Sequence, residues 1–370
     1  MSRTVAIIGG GYGGAAAAKA LDRDADVVLI EPKDAFVQNA VAMRALARPE
    51  WAEKMFFPYD RLLERGRVVR GRAVSVDSRG VVLASGERIE ADFIVLATGS
   101  RYPSPFKLEG ELASEGLERV RGVHGELARA GRVLIAGAGP VGLELAGEIK
   151  EVWPDKRVTI VDPGAELLPG FEAEVRAELA RQLDGLGVEV LLGTALTAPP
   201  PVEPGRAGAF TVASTSGELA ADIWFRAYGV RVDTSYLTGD LAGARTPEGY
   251  VRVTETLNVE GHEHVYAIGD ITALPEAKMA GNAMSHAEVV AANILAELRG
   301  ERPSAVHRPS PLPFVLLPLG PGGGVGQLPS PEGPIVLTAD AVADYKGRDL
   351  FTGRFAELFG IVCELSPAAA

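Results

Sequence analysis

The chain has 370 residues, 47% of them hydrophobic, and a formal net charge of −12, which fits a globular protein of roughly two to three domains. Its single cysteine, Cys363, excludes an internal disulfide, a cysteine-based structural zinc site and a disulfide-relay reductase. The acidic charge repels phosphate backbones, so no nucleic-acid partner is expected.

The first element is an apolar run that leads directly into glycines. Gly9, Gly11 and Gly14 fit the spacing G-x-G-x-x-G, and an alanine-rich, helix-forming segment follows them. The next apolar run ends in Glu31, 22 residues after Gly9. This order predicts a strand, a tight turn that admits a pyrophosphate, a helix, and a second strand whose acid reaches a ribose.

Turn signals between residues 67 and 90 predict a small antiparallel meander. A buried strand then runs from Ala91 to Leu96 and ends at Ala97-Thr98-Gly99-Ser100, and residues 121–130 are predicted to be helical.

The glycine spacing then occurs a second time. Gly137, Gly139 and Gly142 follow another apolar run, and Asp162 lies 25 residues after Gly137. One such motif is weak evidence, because chance or a structural turn accounts for many matches. Two copies, each with its acid in place, predict two mononucleotide-binding halves of doubly wound sheets.

The remaining elements are predicted from apolar spacing and turn residues, outside the repeated glycine motif. A helix over 172–186 and strands over 188–192 and 222–227 complete the second unit. A strand at 265–270 ends in Gly269-Asp270, and a helix is expected from Ser285 to Leu298. Proline and glycine dominate residues 303–334, which predicts a small C-terminal domain with one strand at 314–317 and a hairpin loop at 322–324.

The order of these motifs resembles the two-dinucleotide flavoprotein superfamily. Within it, the chain is similar to the ferroptosis suppressor protein branch of the apoptosis-inducing-factor group, and more distantly to type II NADH:quinone dehydrogenases. The segments specific to the branch are 275–280, which contains Lys278, and the C-terminal segments 324–327 and 346–351. The second strand end departs from the family pattern, since it has Ala227-Tyr228-Gly229.

This resemblance implies an α/β fold with two Rossmann-like dinucleotide-binding domains, one for FAD and one for NADH, plus a small α+β C-terminal domain. The expected boundaries are 1–107 with 232–303 for FAD, 108–231 for NADH and 304–370 for the last domain. The implied FAD ligands are Gly9, Gly10, Gly11, Tyr12, Gly13, Gly14, Glu31, Arg44, the backbone near Ala73, Thr98, Gly99, Asp270 and Lys278. The implied NADH ligands are Gly137, Gly139, Gly142, Glu144 and Asp162.

Two residues are candidates for a catalytic role. Lys278 precedes a helix whose N-terminus is expected to face the flavin pyrimidine, where reduced flavin carries negative charge. Glu148 shares a helix face with Glu144 and is expected to look towards the nicotinamide. The alternatives are a solvated loop lysine, a helix carboxylate that serves solubility, and, for Asp270, a helix cap.

The histidines give no metal site from sequence. His262 and His264 flank Glu263 without an evident third ligand. His286, close to the predicted start of the last long helix, is read either as a proton relay or, more simply, as a packing or capping residue.

These residues predict an FAD-dependent NADH oxidoreductase. Hydride is expected to pass from the nicotinamide to the flavin, and electrons then to an acceptor. Without a cysteine pair the acceptor is a quinone, another small oxidant or a protein carrier, and the resemblance favours a quinone. NADH is expected over NADPH because no arginine immediately follows Asp162. The alternatives are a tailoring flavoenzyme of specialised metabolism and a flavin- and NADH-dependent sensor or interaction protein with slow turnover.

Targeting signals are not apparent. No window of 18 apolar residues occurs, the first residues do not form a signal peptide, and Ser2 stands where N-myristoylation needs glycine. We therefore expect a cytoplasmic protein without a stable membrane anchor, compatible with peripheral association.

Overall fold

A computed structural model describes residues 3–361, so Ser2 and Cys363 lie outside the described residues. The predicted α/β architecture is confirmed. The strands are β1 (Thr4–Ile8), β2 (Asp26–Glu31), β3 (Ala35–Val37), β4 (Phe56–Pro58), β5 (Arg67–Arg70), β6 (Ala73–Asp77), β7 (Gly80–Leu83), β8 (Arg88–Glu90), β9 (Phe93–Leu96), β10 (Arg132–Ala136), β11 (Arg157–Asp162), β12 (Val188–Leu192), β13 (Phe210–Ser214), β14 (Gly217–Ala221), β15 (Ile223–Arg226), β16 (Val265–Ala267), β17 (Val315–Leu319), β18 (Gly323–Leu328) and β19 (Ile335–Leu337). The α-helices are α1 (Tyr12–Leu21), α2 (Ala42–Ala47), α3 (Ala113–Arg129), α4 (Pro140–Val152), α5 (Ala173–Gly185), α6 (Ala280–Leu298), α7 (Ala339–Val342) and α8 (Thr352–Leu358).

The first sheet is parallel and has the strand order β16-β9-β1-β2-β5. Its central strands are apolar throughout because both faces are covered. Helices α1 and α6 pack on one face, where alanines of both helices allow close approach. The meander β6-β7-β8 covers the other face. The carboxyl ends of β1, β9 and β16 therefore meet at one edge.

The second sheet repeats this plan with the order β12-β11-β10-β15, again parallel. Helices α3, α4 and α5 pack on one face, and the hairpin β13-β14 covers the other. The unit β10-α4-β11 thus matches β1-α1-β2, as the repeated glycine spacing predicted.

The C-terminal residues form an antiparallel sheet, β17-β18-β19, that rests on α4. Gly147 makes this contact possible, since a Cβ there would lie 2.6 Å from the Leu319 Cα. Helix α8 turns back onto β3, where Phe355 stacks on Phe36 with ring centroids 5.2 Å apart. Phe359 is fully buried there. The apolar side chains near this end of the chain therefore complete a core.

The structure corrects three element boundaries. Residues 67–70 belong to the parallel sheet as β5, so the meander begins only at Ala73. Helix α3 starts at Ala113, eight residues before the predicted start. The prediction began too late because a glycine, Gly116, occupies the position that packs against Phe56 and Leu108, so the apolar face is not visible in the sequence. Helix α6 begins at Ala280 rather than at Ser285, so residues 280–287 lie within it.

The C-terminal prediction was right about one strand and incomplete about the rest. The strand predicted at 314–317 is β17, but β18 and β19 pair with its edge. The glycine hairpin exists, yet Gly323 and Gly324 lie in β18 rather than in the loop. Among the helices that the structure describes, none combines the length and apolar character needed to cross a bilayer.

Candidate functional site: two dinucleotide turns and the loop beyond Asp270

The turn after β1 has the shape that a pyrophosphate requires. Gly9 adopts φ +105°, and a Cβ on it would lie 2.4 Å from the Ala97 carbonyl oxygen. A Cβ on Gly14 would lie 1.8 Å from the Gly9 oxygen, so α1 and β1 touch only because that residue is glycine. A Cβ on Gly11, by contrast, meets nothing within 4 Å. The space before the N-terminus of α1 is therefore open, and the residues fit a dinucleotide there.

Glu31 braces this turn from the end of β2. Its Oε2 accepts a hydrogen bond from Gly10 N at 2.6 Å and its Oε1 one from Lys33 N at 3.0 Å. Burial raises the pKa of the Glu31 carboxyl, although these amides oppose the rise. Tyr59 donates from its hydroxyl to the Gly10 oxygen at 2.8 Å. Each carboxylate oxygen keeps a free lone pair for a ribose hydroxyl.

The second turn has the same construction. Gly137 has φ +115°, and its Cβ would lie 2.5 Å from the Ala227 carbonyl oxygen. A Cβ on Gly142 would lie 2.1 Å from the Gly137 oxygen, whereas one on Gly139 meets nothing within 4 Å. This second open space before α4 also fits a dinucleotide.

Asp162 occupies the place that Glu31 has in the first turn. Its Oδ2 accepts from Ala138 N and its Oδ1 from Gly164 N, both at 2.7 Å. The acid predicted to bind the second ribose therefore also fixes the shape of the glycine turn.

Asp270 lies where three strand ends of the first sheet converge. It sits in a 3₁₀ turn, Gly269–Ile271, after β16, and its Oδ2 accepts a hydrogen bond from the Ser100 hydroxyl at 2.5 Å. Lys107 donates to the same hydroxyl at 2.8 Å and lies 3.5 Å from Asp270 Oδ2. Sequence reasoning missed Lys107, which stands in a loop without any motif around it.

Thr98, Gly99 and Ala73 lie beside these groups. The Thr98 hydroxyl is 2.8 Å from the Tyr236 hydroxyl, and Gly99 has φ +65°. Ala73 begins β6, two residues after Gly71, whose amide donates to the Glu31 carbonyl oxygen at 3.1 Å. The backbone near Ala73 is thus close to the end of β2.

Tyr12, the first residue of α1, has its hydroxyl hydrogen-bonded to Gln38. It donates to Gln38 Oε1 at 2.5 Å, and Gln38 Nε2 donates to the Leu350 carbonyl oxygen at 3.0 Å. Gln38 is fully buried. This link ties the first helix to the C-terminal segment, and no sequence motif indicated Gln38.

Arg44 and Glu148 form a buried ion pair, with Nη2 and Nε 2.7 and 2.9 Å from Glu148 Oε1. Their side chains are 1% and 3% exposed. Burial raises the pKa of the Glu148 carboxyl, and Arg44 opposes the rise. Arg44 also donates to the Arg348 carbonyl oxygen at 3.2 Å. In this arrangement both groups join α2, α4 and the C-terminal segment.

Glu144 forms the second buried pair of α4, with Lys346 Nζ 2.7 Å from its Oε1. Lys346 also donates to the Leu316 carbonyl oxygen at 3.0 Å and comes from a π-helix, Ala343–Gly347. Lys346 belongs to a segment that the resemblance singled out, but sequence reasoning gave it no role because its partner lies 202 residues away.

Lys278 closes the loop that follows Asp270. Its Nζ donates to the Thr272 and Leu274 carbonyl oxygens at 2.7 and 3.2 Å and lies 5.3 Å from the Tyr250 ring centroid. Burial lowers the pKa of the Lys278 ammonium, although Glu276 and Asp270 oppose the fall. The loop and Tyr250 line an open cavity of about 530 Å³. Glu148 pairs with Arg44, whereas Lys278 donates to backbone carbonyl oxygens of its own loop, so the two predicted catalytic groups have separate partners.

The chain matches the family profile of the pyridine nucleotide-disulphide oxidoreductases over residues 3–289. It is 32% identical to a protein named ferroptosis suppressor protein 1 from Taeniopygia guttata over 362 residues, covering 95% of this chain and 94% of the relative. It is 30% identical to apoptosis-inducing factor homolog B from Dictyostelium discoideum over 377 residues, covering 95% and 96%.

Solved structures show the same fold. NDH2 from Plasmodium falciparum in complex with NADH superimposes with a TM-score of 0.72 at 14% identity, covering 98% of this chain and 97% of that one. The sulfide:quinone oxidoreductase of Aquifex aeolicus gives a TM-score of 0.71 at 19% identity, covering 97% and 91%.

Proposed function

Since the chain belongs to the pyridine nucleotide-disulphide oxidoreductase family, in the branch of the ferroptosis suppressor proteins and apoptosis-inducing-factor homologues, we propose that it oxidises NADH and reduces a quinone or a similar small acceptor. Family membership makes it an enzyme, a flavoprotein oxidoreductase that uses FAD and NAD(P)H. The choice of nucleotide and of acceptor is the proposal.

The observation that carries the proposal is the pair of open glycine turns, each braced by an acid. We assign FAD to the first turn and the nicotinamide nucleotide to the second, with boundaries near 107, 231 and 303. The first turn shares its sheet edge with Asp270, whose carboxylate suits the ribityl or phosphate region of a flavin. The second turn has Asp162, and the adjacent strand β15 carries no acid comparable to Asp270. When bound, FAD would take hydride from the nicotinamide and release electrons to the acceptor.

Asp162 supports NADH over NADPH. A carboxylate at this place accepts hydrogen bonds from the 2′- and 3′-hydroxyls of the ribose and repels a 2′-phosphate. Pro163, Gly164 and Ala165 follow it, so no cation stands next to it along the chain.

The residues around the flavin site would tune rather than perform the chemistry. Helix α6 begins at Ala280 without a side-chain cap, so its first amides are free to donate to an anionic ring. Lys278 stands two residues earlier and adds a positive charge that water screens less at a half-buried site, although burial also lowers the pKa of the ammonium.

The acceptor is inferred from what the chain lacks and from its relatives. Its one cysteine cannot form an internal redox disulfide, so electrons must leave directly to an external molecule. A quinone is named because the solved relative from Aquifex aeolicus is a sulfide:quinone oxidoreductase and because of the resemblance to quinone dehydrogenases.

The test is steady-state kinetics of the FAD-loaded protein with NADH and NADPH against short-chain quinones, ferricyanide, oxygen and a ferredoxin. We expect kcat/KM to be higher with NADH and highest with a quinone. Equal use of the two nucleotides would contradict the assignment of Asp162. Turnover that is slow with every acceptor would favour a sensor, and rapid turnover with only the ferredoxin would replace the quinone.

A further inference from the structure

Three titratable side chains that the proposed function does not use meet behind the Asp270 turn. Glu276 Oε1 lies 2.7 Å from His286 Nε2, and Glu276 Oε2 lies 2.9 Å from His307 Nε2. The side chains of Glu276, His286 and His307 are 8%, 1% and 12% exposed. A carboxylate is therefore buried between two imidazoles, beside a predicted cofactor site.

The other nitrogen of His286 defines its protonation. His286 Nδ1 lies 3.0 Å from Gly269 N in a hydrogen bond, and a peptide N–H can only donate. Nδ1 must therefore be the acceptor, which leaves the proton of the neutral ring on Nε2. That N–H faces Glu276 Oε1 off the line of a straight hydrogen bond, since Nε2 has no well-aligned partner among the described residues. The carboxylate still stabilises this tautomer through charge and proximity.

Gly269 is the residue that presents Asp270. It has φ +71° and opens the 3₁₀ turn Gly269–Ile271. Its amide is held by His286, and its carbonyl oxygen accepts from the Thr272 hydroxyl at 3.0 Å. The N–H and the carbonyl oxygen of Gly269 are thus both hydrogen-bonded, which restrains the backbone that carries Asp270.

We propose that His286, whose tautomer the Gly269 amide defines and the Glu276 carboxylate favours, is a positioning residue that holds the Gly269–Asp270 turn in the conformation that binds FAD. The proposal rests on the assignment of FAD to the first glycine turn. His286 touches no part of the cofactor in this scheme and acts through the Gly269 amide.

His307 completes the arrangement from a separate segment. Its backbone amide donates to the Glu255 carbonyl oxygen at 2.8 Å, and Ala305 exchanges two hydrogen bonds with the Asn293 side chain, each 2.9 Å long. The segment is therefore anchored independently of the loop that carries Glu276. Burial by itself raises the pKa of the Glu276 carboxyl, but the two imidazole N–H groups outweigh it and lower the pKa overall. The carboxylate stays ionised and keeps its hold on His286.

A metal ion is the competing interpretation of the same cluster. The ligand atoms of Glu276, His286 and His307 lie within 4.8 Å of one another, close enough for zinc. A metal on His286 Nε2 would need the proton moved to Nδ1, which would then face the Gly269 N–H. The hydrogen bond from Gly269 therefore favours a metal-free carboxylate–imidazole pair.

A matched pair of substitutions tests the proposal. Asparagine and leucine have nearly the same shape, but only asparagine offers an acceptor, Oδ1, in place of Nδ1. We expect His286→Asn to bind FAD within about threefold of the parent and His286→Leu to bind it roughly 5- to 100-fold more weakly, as a buried unpaired amide implies. The measurement is the recovery of FAD fluorescence when the FAD-loaded protein is diluted, with the flavin absorbance spectrum recorded beside it.

The same assay separates this inference from the role of Asp270. Parent-like FAD affinity in His286→Leu, or equal losses in both His286 variants, would overturn the positioning role. Parent-like affinity in Asp270→Asn would overturn only the role proposed for that carboxylate.

The tautomer gives a readout that packing alone would not change. In ¹⁵N-histidine-labelled, FAD-loaded protein, long-range ¹H–¹⁵N correlations should show the proton of His286 on Nε2. A proton on Nδ1 would overturn the proposal. Stoichiometric zinc in the purified protein that is lost in His307→Ala would overturn it in favour of a metal site.

Discussion

The carboxylates of Asp162 and Glu31 each hold a glycine turn in shape and are each proposed to bind a ribose. Each accepts a backbone amide of the glycine turn and one from the residue two positions further along the chain. The acid is thus part of the turn before any nucleotide arrives. This dual use explains why the acid and the glycines occur together in both halves.

Replacing Asp162 should change nucleotide preference. We expect Asp162→Ala to lower kcat/KM for NADH by roughly 10- to 100-fold, as the loss of charged hydrogen bonds implies, and to lower it much less for NADPH. The control is Asp155→Ala, which removes the same charge from an exposed position before β11. An unchanged ratio of the two nucleotides in Asp162→Ala would show that another group selects between them.

Two of the three glycines of the second turn, Gly137 and Gly139, should separate an effect on stability from an effect on NADH binding. A Cβ at Gly139 meets nothing, so Gly139→Ala should keep the parent melting temperature and FAD content while KM for NADH rises at least tenfold. A Cβ at Gly137 would clash with the Ala227 oxygen at φ +115°, so Gly137→Ala should cost about 1–3 kcal/mol of stability. Thermal unfolding and NADH kinetics on both variants give the comparison. A destabilised Gly139→Ala would mean that the space before α4 is already filled.

At the scale of elements, one carboxylate ties the starts of β10 and β15 together. Asp222, which precedes β15, accepts from Arg132 Nη2 at 2.6 Å, from Arg132 Nε at 3.2 Å and from Arg132 N at 2.8 Å. These hydrogen bonds hold the pKa of the Asp222 carboxyl below its ordinary value of 3.8. A depressed pKa contributes stability above the ordinary value, and this contribution is lost as the pH falls through the folded-state pKa.

Asp222→Asn should therefore lower the free energy of unfolding by about 1–3 kcal/mol near pH 7. The difference from the parent should shrink as the pH falls below about 4, because the Asp222 carboxyl of the parent is then protonated, first in the unfolded state and at lower pH in the folded state. Urea unfolding at several pH values measures it. A difference that stays constant down to pH 3 would show that the charge of Asp222 is not what matters.

For the whole molecule, two buried ion pairs on α4 join distant parts of the chain. Arg44 reaches α4 from α2, and Lys346 reaches it from the C-terminal segment. Arg44 also contacts the Arg348 carbonyl oxygen. The packing of α2, α4 and the C-terminal segment against one another therefore depends on buried charges at their junction.

Removing one partner of such a pair should be costly. We expect Glu148→Ala to lower the free energy of unfolding by about 3–5 kcal/mol, because it leaves Arg44 buried without a counter-charge. The double variant Arg44→Met with Glu148→Leu should recover part of this loss. The control is Glu151→Ala on the same helix, whose partner Arg48 is partly exposed and whose removal should cost at most about 1 kcal/mol. Parent-like stability of Glu148→Ala with lost turnover would instead support the catalytic role that the sequence predicted.

The sequence by itself determined the two-fold repeat, the glycine turns with an acid at the next strand end, and hence the family. Those features are local: a glycine at positive φ, a close helix–strand contact and an acid at the next strand end lie within about 25 consecutive residues of each copy. Local backbone rules therefore predict them without knowledge of the rest of the chain.

Only the tertiary structure decided which partners the charged side chains have. Glu148 pairs with a residue 104 positions away and Glu144 with one 202 positions away, and His307 approaches Glu276 from a segment beyond α6. β5 likewise joined the first sheet because a neighbouring strand edge was available, not because its own sequence differs from the meander. Such pairings depend on how separate elements dock, and burial then makes each unpaired charge too costly to leave alone.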